Sequence, residues 1–132
     1  MVTMLMGSFM AVWWLNMPIE LARTWKAVCI VESNGQTDAV GDNGAALGIA
    51  QIHKICVDDC NRIKGRNEWS YNDRLDPHKS FLMFQTYVLH YFPNGGPEQW
   101  ARCWNGGPRG PYKSSTLKYW EKVQRGIRNG KR

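Results

Sequence analysis

Cysteine is scarce in this sequence, with only Cys29, Cys56, Cys60 and Cys103 in 132 residues. Disulfide-stapled scaffolds are far denser, and a chain this long can bury a core without staples. Four thiols allow two bridges in three connectivities, so pairing and redox compartment both stay open. His53, Cys56 and Cys60 have a zinc-like spacing, but no second Cys or His pair follows to complete a site, and no metal is expected. The chain has no P-loop and no dinucleotide fingerprint, so neither motif argues for nucleotide chemistry. Its three histidines are scattered without a nucleophile elbow, so a Ser-His-Asp set cannot be argued from the sequence. There is no repeat, low-complexity tract or interdomain linker, so one domain is expected.

Charge is missing from Met1 to Ile19, and Val2 to Leu15 is strongly apolar. A bilayer span needs about 20 apolar residues, and shorter stretches belong to buried helices or signal cores. A secretory signal carries Lys or Arg before its apolar core and an A-x-A site after it, and this sequence has neither. Met6, Met10, Trp13, Trp14 and Met17 recur near helical spacing. Three readings therefore stand for residues 1–17: buried helix, export signal, or anchor making membrane contact. Residues 18–132 form the expected compact domain.

What is present is an ordinary globular composition, 43% hydrophobic and 21% charged. Seven Trp is heavy for this length; some belong to the core, and several at the surface would suit a carbohydrate or another flat ligand. The formal net charge of +6 favours an anionic partner: wall polymer, nucleic acid or acidic membrane. Much of the excess lies at Lys118, Lys122, Arg125, Arg128, Lys131 and Arg132. A nucleic-acid site would interleave such cations with exposed aromatics; this tail reads instead as an amphipathic helix, so no nucleic acid is expected.

Asn16-Met17-Pro18 reads as a helix start. Leu21, Trp25, Val28 and Cys29 then mark one helical face, and Glu32 falls at its next step. A carboxylate on a buried face is unusual; desolvation there raises its pKa, as a general acid at neutral pH requires. Ser33-Asn34-Gly35 stops the helix, and Asp42-Asn43-Gly44 is a tight turn. Ala39-Val40 and Ile49–Ile52 flank that turn as a candidate hairpin. The folded-back loop brings a second acid toward Glu32, and two facing carboxylates are what glycoside cleavage needs. Asp42 and Asp38 compete for that place. Further helices are expected over His53–Ile63, with Ile55, Cys56 and Ile63 inward, and over Pro77–Phe92, capped by Asp76. Two more follow, Pro97–Trp104 and Ser114–Gly126, the last with Leu117, Trp120, Val123 and Ile127 inward.

Two blocks resemble the invertebrate-type lysozymes, the family that includes the destabilases. The first is Cys29-Ile30-Val31-Glu32-Ser33, Asp42-Asn43-Gly44, Gly48-Ile49-Ala50-Gln51-Ile52 and Asp59-Cys60. The second is Ala101-Arg102, Asn105 to Gly110, Thr116, Tyr119-Trp120 and Val123-Gln124. The resemblance implies a mainly α (α+β) lysozyme-like fold with a small β-hairpin beside the cleft. It implies peptidoglycan as substrate, cleaved at the β-1,4 bond after N-acetylmuramic acid, with Glu32 as general acid and Asp42 as second carboxylate. Lysozyme is itself the standard example of that pKa division. Gln51, His53, Asn105, Gly106 and Tyr119 are the candidate sugar contacts; Gln51 serves equally as a loop brace and Tyr119 as core. No cofactor is required, and a monomer acting outside the cytoplasm, secreted or phage-encoded, fits the substrate.

The chain departs from the family in its few cysteines, in Ala45 and Ala46 at the family's serine positions, and in Trp104 where a His is common. Family disulfides and serine-dependent isopeptidase activity are not carried over. Soluble lytic transglycosylases share Glu32-Ser33, Gly44-Ala45 and Gly48 to Ile52; their chemistry uses one Glu and no second acid. A non-catalytic glycan-binding module on the same fold is the remaining alternative.

Overall fold

The computed structural model describes residues 2–130, with side chains from Met17 onward. Five α-helices and one two-stranded sheet follow in order: α1 (Val2–Ser33), β1 (Val40–Gly41), β2 (Ala46–Leu47), α2 (Lys54–Lys64), α3 (Pro77–Tyr91), α4 (Pro97–Gly106) and α5 (Leu117–Gly130). This is the mainly α lysozyme-like architecture that the resemblance implied.

The first helix begins sixteen residues before the expected start, and Pro18 lies inside it. A proline removes one backbone hydrogen bond, but Met, Leu and Ala on either side are strong helix formers. How residues 1–16 bury their side chains, on which the choice between helix, signal and anchor turns, lies outside the described residues. Among those residues no helix is long and apolar enough to cross a membrane.

Leu21, Ala27 and Val28 of α1 share one core with Phe84 and Val88 of α3, Trp100 and Ala101 of α4, and Val123 of α5. A second core, Ala50, Ile52, Val57, Cys60, Trp69 and Met83, joins the β loop to α2 and α3. The Asp76 carboxylate accepts the Lys79 amide at 3.0 Å, making the N-cap read from Asp76-Pro77.

Three expectations need correction. The hairpin's second strand is Ala46–Leu47, not Ile49–Ile52: Gly48 and Gln51 take positive φ (84° and 53°), which curls that stretch into a turn and returns Ile52 to bridge Leu47. Ile55 does not point inward but is 78% exposed, because Val57 and Cys60 form the buried face of α2. Leu117 is likewise exposed; it opens α5 before the helix reaches the core.

Candidate functional site

Glu32 sits in the last turn of α1, where the core-facing stripe emerges into solvent. The helix stops one residue later because Asn34 and Gly35 adopt left-handed conformations (φ 55° and 78°). The Ser33 hydroxyl donates to the Ile49 carbonyl at 2.7 Å, tying the end of α1 to the β loop. That loop is braced from within: the Gln51 amide donates to the carbonyls of Ala39 (3.2 Å) and Gly48 (3.0 Å). From outside, the buried Arg74 guanidinium donates to the carbonyls of Ala45 (3.2 Å) and Ile52 (3.0 Å). Gly48 packs its Cα onto the Arg74 carbonyl, where any Cβ would collide.

These elements enclose one side of a cleft of about 830 Å³. Glu32, Asp42, Gln51, His53 and Asn105 all line it, so five of the residues chosen from sequence converge. Asp38 is exposed and outside the lining. Gly106 also lies outside it: its Cα packs against the Thr116 methyl, and its carbonyl accepts Lys113 Nζ at 2.8 Å. Tyr119 approaches Glu32 from within the protein, its hydroxyl donating to Glu32 Oε2 at 2.9 Å.

Burial pushes the Glu32 carboxyl from an ordinary 4.5 up to about 7. The Tyr119 hydrogen bond opposes that rise by favouring the ionised form, and the nearby Asp42 charge adds to it. Asp42 differs in kind. Its side chain is 70% exposed, and its Oδ2 lies 2.9 Å from His53 Nε2. One carboxyl in the cleft thus holds its proton near neutrality while a solvated one sits across from it.

The far wall comes from α2, α3 and α4. Ile55, Asp58, Asp59 and Arg62 line the cleft from α2 at i, i+3, i+4 and i+7. Asp59 is paired with Arg62 at 2.6 Å and accepts a hydrogen bond from the Tyr91 hydroxyl at 2.7 Å. Tyr87 and Trp104 meet edge to face, with ring centroids 5.8 Å apart, and both line the cleft. Of these residues the sequence marks Ile55 as core and Asp59 and Trp104 through the family resemblance, and it gives none of them a place in the cleft. The helical spacing on α2 was the signal available, but the apolar residues in that segment drew attention to Ile55 as core. All four cysteines are free thiols; Cys56 borders the cleft, and its pKa lies well above the ordinary thiol value because Cys60 hydrogen-bonds it and burial disfavours the thiolate. No group of three or more His, Cys, Asp or Glu among the described residues is placed to hold a metal ion.

No protein-family model matches the chain. Over 43 residues, 30% of this chain, it is 46% identical to a lysozyme of Magallana gigas, and the match spans 31% of that relative's length. A chain of the crystal structure of Aeromonas hydrophila PliI in complex with Meretrix lusoria lysozyme superposes with a TM-score of 0.66 at 29% identity, covering 78% of this chain and 87% of that one. The chain is thus related to lysozymes by a local sequence match and by fold.

Proposed function

We propose that this chain is a peptidoglycan-cleaving glycosidase, a muramidase acting outside the cytoplasm on the β-1,4 bond after N-acetylmuramic acid. The observation that carries the reading is Glu32: a carboxyl at the end of an apolar helix face, lining the cleft, with burial raising its pKa to about 7. At neutral pH a large fraction is protonated, as an acid that must give its proton to a leaving oxygen requires.

The glycan lies along the cleft between the β loop and the α4 end. Glu32 protonates the glycosidic oxygen as the bond to the anomeric carbon breaks. Asp42, solvent-exposed and oriented by His53, either attacks that carbon or stabilises its positive charge. Water then supplies hydroxide to the carbon and returns a proton to Glu32. Tyr119 positions Glu32 from behind rather than binding sugar, and Gln51 holds the loop. Asn105 and His53 remain at the cleft surface for polar contacts, with Tyr87 and Trp104 offering aromatic edges.

Mass spectrometry of muropeptides released from purified peptidoglycan tests this. Products with reducing N-acetylmuramic acid ends are expected, with release falling about 10²–10⁴-fold in Glu32→Gln. Anhydro products, lighter by one water, in wild type and in Asp42→Asn alike would make the chain a lytic transglycosylase. Binding without release, from folded protein, would make it a glycan-binding module.

A further inference from the structure

The packing of α1 against α5 assembles a surface that neither the cleft nor its chemistry uses. Gly126 of α5 sits directly on Ala27 of α1, where an added Cβ would lie 3.0 Å from the Ala27 Cβ. Around that contact the two helices repeat one pattern. Arg23 and Lys26 fall four and one residues before Ala27; Lys122 and Arg125 fall four and one residues before Gly126, with Lys118 a further turn back. The core residues Val28 on α1 and Val123 on α5 turn inward together. At 3.6 residues per turn the cations lie round the opposite flank of each helix, so the two rows emerge side by side.

All five of these cations are exposed. None of the five lies within 4.0 Å of a carboxylate of the described residues, whose cation–carboxylate pairs involve His53, Arg62, Arg66, Lys79 and Arg102. The acids of α1 and α5 are the half-buried Glu20, the exposed Glu121, and Glu32, which faces the cleft. Ile19 and Ile30 continue the α1 row at the same helical spacing, four residues before Arg23 and four after Lys26, and are 51% and 48% exposed. Cations interleaved with exposed branched aliphatics along one flank are what a charged lipid surface selects. A soluble polyanion would use the cations and leave both isoleucines in water. The sequence before Glu20 carries no charge, and α1 begins at Val2.

We infer that the α1–α5 flank formed by Ile19, Arg23, Lys26, Ile30, Lys118, Lys122 and Arg125 docks on an anionic lipid bilayer surface. The cations sit over the headgroups and the two isoleucines enter the interface. This needs no activity at the cleft, so it stands or falls apart from the glycosidase reading.

The test is co-sedimentation of the full chain with vesicles of mixed phosphatidylglycerol and phosphatidylcholine, and with phosphatidylcholine alone. Binding is expected on the anionic vesicles and falls with salt. The triple variant Lys118→Gln/Lys122→Gln/Arg125→Gln should bind about a hundredfold more weakly, at about fivefold per charge. Ile19→Ser/Ile30→Ser should weaken binding at unchanged net charge; the far-ultraviolet circular dichroism of each variant establishes that it folds. Equal binding of wild type and triple variant to both vesicle types would overturn the inference, since the uncharged N-terminal stretch alone would then drive association. Binding to a soluble poly(glycerol phosphate) but not to vesicles would overturn it in favour of a wall polymer, as would indifference to Ile19→Ser/Ile30→Ser.

Discussion

Replacing Glu32 by Gln should make this protein more stable at alkaline pH while removing its acid. In the folded chain Glu32 titrates near 7, against 4.5 for an ordinary carboxyl. Below 4.5 it is protonated in both states and costs nothing. Between 4.5 and 7 the unfolded chain releases the proton while the folded one retains it, so stability falls as pH rises, levelling off above 7. A displacement of that size corresponds to about 3 kcal/mol, reduced to about 2 kcal/mol by the partial exposure of the carboxyl at the cleft. Gln is nearly isosteric, has no proton to lose, and still accepts the Tyr119 hydroxyl. Urea unfolding of wild type and Glu32→Gln between pH 4 and pH 8 measures the difference, in which the other titrating groups cancel. Near-equal stability is expected at pH 4 and a gain of about 2 kcal/mol for Gln at pH 8. Parallel pH profiles, or a Gln variant less stable at pH 8, would refute the claim that Glu32 is held protonated by burial.

Three further outcomes follow from single contacts. Tyr119→Phe removes the donor that favours ionised Glu32, so the Glu32 titration should move up by about one pH unit, seen in the alkaline limb of the rate profile or by carboxyl NMR. His53→Ala frees Asp42 from its only side-chain hydrogen bond among the described residues and should lower kcat about tenfold with a smaller change in KM; His53→Asn restores a polar partner and should recover part of the loss. Gly48→Ala forces a side chain onto a backbone at φ 84° and into the Arg74 carbonyl, so unfolding should become easier by at least about 3 kcal/mol in a denaturant titration.

Local chemistry was readable from sequence wherever one residue decides a conformation. Asp76-Pro77 opens α3, and Asn34-Gly35 ends α1 at Ser33 because few other residues adopt φ above zero. Glu32 stood out because it continues an apolar helical stripe, and the cleft lies where that stripe ends. Reading failed where two local signals competed. Gly48 and Gln51 both take positive φ, so an apolar run that looks like a strand became a turn, and the second strand fell to Ala46–Leu47. Ile55 is apolar at a helical position, yet α2 buries Val57 and Cys60 instead.

The sequence by itself determined where most helices end, that the chain carries one core-facing acid, and that its last helix is basic. These follow from φ preference, hydrophobic period and charge, which each segment carries alone. Only the tertiary structure decided what that acid is worth. Tyr119 reaches Glu32 across 87 positions of sequence, and Asp42 meets His53 because the β loop is folded under Arg74. It also decided that Arg23 and Lys26 stand beside Lys122 and Arg125, since Gly126 lets α5 rest on Ala27. Burial and proximity are properties of the packed chain, and they raise the proton affinity of Glu32 and bring cations of two helices together.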